Sequence, residues 1–286
     1  MSNELLLRDV VSDVTYKILV AGPIGNVDVV EETFQRVKMA CARWDVRDVE
    51  PLDGGWLSIV AKGWVAGRRV VVKAPLSRDL GEGERVALNV LRGVPRVLDA
   101  WDGVLLMEYI DGVLVETTDS VSTAEALRLL HGGGNIVVCP VGLPWWEDRR
   151  QEMFGEYARR VREFAPESAW VVDMAEESLP RVLEMVRTVC HGDFQGKNIL
   201  RLRDGSGVRV LDPYGVWSPV AWDAAFAVRM IAGTKGDPSL VLEAAEDCGI
   251  TGVAEWFPVA AVAVIWTSGR VYDYACHADV FAWIRD

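Results

Sequence analysis

No stretch of these 286 residues is long and apolar enough to read as a membrane span. The best run, WFPVAAVAVIW at 256–266, has 11 residues and a proline, so the expectation is a buried helix. A signal peptide is not expected either, because MSNELLLRDVV offers neither a basic start nor an apolar stretch behind it. Cysteine is sparse: Cys41, Cys139, Cys190, Cys248 and Cys276 are odd in number, scattered, and form no C-x-x-C pair. That pattern argues against a disulfide framework or a zinc site and fits a reducing cytoplasm. Basic residues are also outnumbered. The net charge of −12 argues against nucleic acid or an anionic membrane as partner.

What is there is apolar material, 50% of the chain, enough for a large core in one domain or two lobes. The acidic charge is uneven. From Asp212 to Asp286 ten acids stand against four bases, so this segment carries −6, half of the total. A solvated acidic surface accounts for that, and so does a field that attracts a cationic ligand.

Along the chain, Phe34, Val37, Cys41 and Trp44 recur at helical spacing within 31–44. Strands are expected at 56–61, after a turn at Asp53-Gly54-Gly55, and at 68–74, between Ala66-Gly67 and Pro75. A helix near 82–92 stops at Gly93 and Pro95. Strands at 96–101 and 104–110 flank Asp102-Gly103, a type I′ hairpin signal. The remainder reads as helical. Ser122 and Glu125 form a possible capping box. Phe154, Tyr157, Val161 and Phe164 make a stripe in 147–165. Further helices are expected at 174–189, 221–232, 239–248, 252–267 and 270–284, with a Gly- and Pro-rich loop at 132–146. These expectations describe a small sheet lobe over 1–110 and a larger, mainly helical lobe over 111–286.

The chemistry concentrates in HGDFQGKNIL at 191–200 and VLDPYG at 210–215. Strands 198–203 and 208–212 are joined by DGSG at 204–207. If Arg203 faces Val208, then Ile199 faces Asp212, with Asn198 beside it and Asp193 in the loop feeding that end. Two oxygen donors converging there suit Mg²⁺, which takes one or two protein ligands together with phosphate oxygens and water. A further carboxylate outside the metal shell can accept a hydroxyl proton. Taken singly, each of the three residues also reads as a turn cap or a strand end.

The H-x-D-x4-N loop, hairpin and second Asp resemble the catalytic arrangement of protein-kinase-like phosphotransferases. HGDFQGKN is similar to the HGD-x4-N form of aminoglycoside phosphotransferases and related small-molecule kinases. The order of features resembles the streptomycin 6-phosphotransferase and hydroxyurea phosphotransferase group: a helix ending in Arg43-Trp44, a Gly-Gly turn, VVVKAP, VLLMEYIDG, RLLHG at 128–132, HGDFQGKN and LDPYG. The resemblance implies an α+β, bilobal protein-kinase-like fold using ATP and Mg²⁺.

It also implies roles. Asp193 would be the base that orients and deprotonates the acceptor hydroxyl. Asn198 and Asp212 would hold Mg²⁺, and His191 would hold the loop. Gln195 stands where relatives often carry His and receives no role. Lys73 would contact the α- and β-phosphates, although snorkelling from an edge strand also accounts for it. Its partner would be Glu84, with Glu82 as the alternative. Gly54, Gly55 and Ser58 in LDGGWLSIV would cover the phosphates. Met107 would lie behind the adenine, with the backbone of Glu108 and Ile110 at its edge. Asp223 would cap its helix, brace the catalytic loop or meet the acceptor. Trp217, Trp222, Trp256 and Trp266 fall where relatives bind the acceptor and offer ring faces to a sugar or cation.

Ten residues separate Asp212 from Asp223, and no A-P-E follows Asp212, which leaves no room for a peptide-docking segment. A small acceptor is therefore expected over a protein. A cationic aminocyclitol or amino sugar suits the acidic C-terminal segment. A neutral sugar, hydroxyurea or a hydroxylated amine remains open, as does a non-catalytic nucleotide-binding protein.

Overall fold

The computed structural model describes residues 5–21, 25–52, 57–134, 138–146, 152–164, 166–232 and 234–267. The turn at Gly54-Gly55, the side chain of Trp266, the helix expected at 270–284 and Cys276 lie outside the described residues. The chain divides into two compact units, residues 1–89 with 95–111, and residues 90–94 with 112–286.

In chain order, the first unit contains α1 (Leu7–Val10), α2 (Asp13–Ala21), α3 (Val27–Trp44), β1 (Arg47–Pro51), β2 (Ser58–Val65), β3 (Arg68–Pro75), α4 (Arg78–Val90), β4 (Val97–Trp101) and β5 (Val104–Glu108). The strands form one antiparallel sheet in the order β1-β2-β3-β5-β4. Its tight hairpins are made where the sequence announces them: Ala66-Gly67 and Asp102-Gly103 all take positive φ, as type I′ turns require. On α3, the stripe Val30, Phe34, Val37 and Cys41 packs into one core with Ile59, Val70, Val72, Val104 and Leu106. Arg36, buried on the same helix, donates to the carbonyls of Pro75 at 2.8 Å and Asp102 at 3.2 Å, tying α3 to the end of β3 and to the hairpin. Its guanidinium compensates two backbone acceptors that the ladder leaves over.

Helix α4 begins four residues earlier than the expected 82, despite Gly81 and Gly83 in its first turns. Gly81 has a reason to be there. A Cβ at that position would sit 2.6 Å from the carbonyl oxygen of Gly103, so the close approach of α4 to the β4–β5 turn excludes a side chain.

The second unit contains β6 (Gly112–Leu114), α5 (Ser120–His131), α6 (Glu152–Phe164), α7 (Ala169–Leu183), β7 (Arg187–Cys190), β8 (Ile199–Leu202), β9 (Val208–Val210), β10 (Val216–Pro219), α8 (Ala221–Ile231), α9 (Ser239–Asp247) and α10 (Val253–Thr267). Two small antiparallel sheets, β6-β8-β9 and β10-β7, accompany the helices. The expected helix 174–189 is corrected here: α7 runs 169–183, and Arg187–Cys190 is a strand paired with Val216–Pro219. Thr188 and Val189 are β-branched, buried and flanked by a partner strand, so tertiary pairing overrides the helical continuation. The cap of α5 is Asp119, whose carboxylate accepts from Ser122 N at 2.9 Å, instead of the Ser122–Glu125 box. In α6, Phe154, Tyr157 and Val161 are buried, whereas Phe164 at its end is exposed.

The β8–β9 hairpin has a different register from the expected one. Arg201 faces Val208 and Ile199 faces Val210, a shift of two residues. The connection takes Leu202–Gly207, closed by Leu202 N to the Gly207 carbonyl at 2.9 Å, with Gly205 and Gly207 at positive φ. Because side chains alternate with period two, this shift keeps the same residues inward; Ile199 and Val210 are both fully buried. Asp212 consequently lies just past the ladder.

Candidate active site

Strand β7 delivers Cys190 into the loop 191–198. The backbone there is held from below by Asp223 on α8. One Asp223 oxygen accepts from His191 N at 2.7 Å and from His131 Nε2 at 3.1 Å, and the other accepts from Gly192 N at 2.9 Å. The carboxylate is wholly buried. Burial pushes its pKa up, but the hydrogen bonds from His131 and the Gly192 N–H outweigh this and hold it below the usual carboxylate range. Trp222, beside it, donates Nε1–H to the Gly192 carbonyl at 3.2 Å. Gly192 has φ +85°, and a Cβ there would crowd Val216 at 3.1 Å.

His191 is fully buried, and its partners dictate its tautomer. Nδ1 accepts from Asp193 N at 3.2 Å, and Nε2–H donates to the Leu211 carbonyl at 2.8 Å. The ring is therefore a neutral bridge between the loop and the segment that carries Asp212.

Asp193 is the one half-exposed acid of the loop, with 31% of its side chain accessible. Gln195 Nε2 donates to Oδ1 at 2.6 Å, and Asn198 Nδ2 donates to Oδ2 at 3.0 Å and to the Asp193 carbonyl at 2.8 Å. The Lys197 ammonium stands 3.8 Å from Oδ2. Since the Asn198 amide spends its N–H bonds on Asp193, the oxygen it has to offer is Oδ1. Leu211 N donates to the Asn198 carbonyl at 2.7 Å, which sets Asp212 one residue from this point. Asp212 is exposed and takes φ +58°, a conformation that Asp tolerates better than most residues.

An amide oxygen and a carboxylate are hard donors and fit Mg²⁺. Among the described residues no group of three or more His, Cys, Asp or Glu side chains is placed to hold a metal. A cation here would thus complete its shell with phosphate oxygens and water.

In the first unit, Lys73 on β3 and Glu84 on α4 form an ion pair of 2.6 Å, each side chain 6% exposed. Glu82 pairs instead with Arg85. Ser58 opens β2 opposite Pro75. Met107 is buried on β5 opposite Val71. Glu108 spends its amide N–H on the Arg96 carbonyl, at 3.0 Å, and its carboxylate on the Arg96 side chain and backbone. Ile110 follows directly after β5.

The tryptophans go elsewhere. Trp146, Trp222 and Trp256 are fully buried and meet edge to face, their centroids 5.1 to 5.6 Å apart. Their burial leaves no ring face for an acceptor, and Asp223, equally buried, has its oxygens committed to the loop. Trp217, also buried, lines an open apolar groove of about 510 Å³ with Val138, Cys139, Trp145, Met185, Val186 and Arg187, none of which belongs to the loop 191–198. What sequence reasoning missed are His131 and the loop-holding role of Gln195. RLLHG was visible as a motif, but the 92-residue separation of His131 from Asp223 hid the contact.

Residues 48–259 match the model of the phosphotransferase enzyme family. The structure is similar to that of aminoglycoside phosphotransferase APH(4)-Ia, with a TM-score of 0.57 and 15% identity over 89% of this chain and 95% of that one. A thermostable mutant of that protein, in a ternary complex with ADP and hygromycin B, aligns at a TM-score of 0.55 and 14% identity over 86% and 94%. Choline kinase LicA from Streptococcus pneumoniae aligns at 0.54 and 13% over 89% and 97%. Macrolide 2'-phosphotransferase MphH from Brachybacterium faecium aligns at 0.52 and 16% over 89% and 97%. No curated protein sequence matches this one. The structural likenesses establish the protein-kinase-like α+β fold.

Proposed function

Since the chain belongs to the phosphotransferase enzyme family, we propose that it transfers the γ-phosphoryl group of ATP to a hydroxyl of a small cationic acceptor, an aminocyclitol or amino sugar of the streptomycin type. The observation that carries this reading is the dressing of Asp193. Both its oxygens are held by neutral amides, which fix the direction of the carboxylate without supplying a proton, while the side chain stays partly accessible.

In the transfer, the acceptor oxygen bonds to the γ-phosphorus, the bond to the bridging oxygen breaks, and ADP departs. Asp193 takes the hydroxyl proton. Its contribution is orientation as much as basicity, because the reaction is carried largely by positioning and charge. Asn198 Oδ1 and the Asp212 carboxylate would hold Mg²⁺, which supplies charge neutralisation at the phosphates. Lys73, kept in place by Glu84, would meet the α- and β-phosphates. Met107, the Glu108 carbonyl and the Ile110 amide would receive the adenine, and Gly54, Gly55 and Ser58 would cover the phosphates. ATP as donor is supported by the ADP complex of the aminoglycoside phosphotransferase mutant. No role at the acceptor is proposed for Trp217, Trp222, Trp256 or Asp223.

A second reading, a hydroxylated amine as acceptor, draws on the likeness to choline kinase LicA. Both acceptors are cationic and suit a chain of net charge −12. ADP release from Mg·ATP, measured across streptomycin-type and other aminoglycosides, amino sugars, choline, ethanolamine, hydroxyurea and neutral sugars, separates the two. We expect turnover with one cationic class and a loss of at least ~10³-fold in Asp193→Ala, within the range a positioned general base supplies, since the base also orients the nucleophile. Turnover confined to neutral acceptors would overturn the cationic assignment, and full activity in Asp193→Ala would remove the base.

A further inference from the structure

The catalytic loop carries a charge that the reading above leaves unused. Lys197 projects its ammonium to 3.8 Å from Asp193 Oδ2, and 59% of its side chain is exposed. Holding the base is not what this cation adds. Gln195 and Asn198 already donate to the two carboxylate oxygens at 2.6 and 3.0 Å, whereas 3.8 Å is beyond hydrogen-bond range. Nor does so exposed a pair add much to stability.

The root of the side chain, in contrast, is fixed. Residues 196–198 form a tight turn closed by Asn198 N to the Gln195 carbonyl at 2.9 Å. A Cβ on Gly196 would fall 2.8 Å from the Glu116 carbonyl oxygen and from Thr117 Cα, so the turn is pressed against the segment after β6. An exposed, flexible ammonium on an immobile base can swing by a few ångströms at little cost. The charge it faces is acidic: Asp193 stands 3.8 Å away, and an incoming triphosphate adds negative charge at the same loop.

We propose that Lys197 is a catalytic residue. When nucleotide is bound, its ammonium leaves Asp193 and donates to the non-bridging oxygens of the phosphoryl group in transfer. The move stabilises charge where it is most dispersed. The inference rests on the phosphotransferase reading of the same site.

The test compares the wild-type protein with Lys197→Met and Lys197→Arg, by calorimetric titration of Mg·ADP with and without aluminium fluoride, the mimic of the transferring phosphoryl group. Mg·ATP turnover is measured beside it. In the wild type, fluoroaluminate should tighten Mg·ADP binding. Lys197→Met should keep the Mg·ADP affinity within about threefold, lose most of the tightening, and turn over more slowly by on the order of 10- to 100-fold; Lys197→Arg should recover most of both. Equal tightening in Lys197→Met and wild type overturns the role of Lys197 and leaves the enzyme assignment standing. So does a wild type that binds Mg·ADP but is not tightened by fluoroaluminate. Absence of any Mg·ADP binding in the wild type overturns the ATP-dependent reading, and this inference with it.

Discussion

At the scale of single residues, the Lys73–Glu84 pair shows how much a buried charge depends on its partner. With both side chains 6% exposed and 2.6 Å apart, desolvation and attraction nearly offset each other, so the pair itself adds little net stability. Removing one member is another matter, since the survivor stays buried with its opposite charge gone. We expect Lys73→Met and Glu84→Gln each to lower the unfolding free energy by roughly 3–5 kcal/mol, or to neutralise the survivor at a similar cost. The double variant Lys73→Met/Glu84→Leu should be more stable than either single one. Urea unfolding of the three proteins decides the point: additive losses would mean that the pair is not coupled. Nucleotide binding should fall in every variant lacking Lys73, including the stable double one, which separates the ligand role from the structural one. From the sequence, Lys73 also read as snorkelling from an edge strand, and the family resemblance is what pointed to Glu84 as its partner, with Glu82 as the alternative; the buried pair is with Glu84. The choice of Glu84 over Glu82 follows from helix phase, which turns Glu84 inward and leaves Glu82 to Arg85.

At the scale of elements, legibility depended on whether a local rule or a distant contact was in charge. The Asp102-Gly103 and Ala66-Gly67 turns follow from positive φ alone and stand where the sequence puts them. The β8–β9 hairpin kept its faces but not its register, because the length of the 202–207 connection is set by how Gly205 and Gly207 turn the chain, which hydrophobic alternation does not encode. β7 was hidden for a similar reason: four residues gain strand geometry only from β10, 26 residues further on. The cap of α5 repeats the lesson. Asp119 and Ser122 are both cap-forming residues, and Arg201 from β8 donates to both, to Asp119 at 2.7 Å, while the cap bond itself runs from Ser122 N to Asp119. Asp119→Ala should therefore cost about 1–2 kcal/mol in thermal or urea unfolding, through the lost cap to Ser122 N. A neutral substitution would show that Arg201 and Ser122 hold the helix start without it.

At the scale of the whole molecule, 42 acids against 30 bases make stability a matter of pH, and the sign can be worked out group by group. Asp223 has its folded pKa depressed below the usual 3.8. Such a group contributes stability that is fully present above the unfolded value and is lost as pH falls through the folded one. Its window thus opens just below pH 4 and extends downward. Glu82, Asp102, Glu156 and Glu176 are depressed too, Glu156 to about 2, each held by arginine at the surface, where salt screens their share; Asp119, half-buried, is depressed by Ser122 and Arg201. Asp223 is buried and is screened much less. At about 0.5 M salt, where the Debye length is only a few ångströms, the acid-side loss of melting temperature should consequently report mainly on Asp223. Asp223→Asn should melt lower than the wild type at neutral pH, because an amide whose oxygen accepts from His131 and His191 N turns its NH2 toward Gly192 N; that orphaned donor costs about 1–3 kcal/mol. Between pH 5 and about pH 3 its melting curve should also be flatter, so that the two proteins converge as acid neutralises the wild-type carboxylate. Parallel curves at high salt would assign the acid sensitivity to other carboxylates and reduce Asp223 to one hydrogen-bonding group among many. Convergence would mean that the residue holding the backbone of the loop 191–198 also governs how the fold responds to acid.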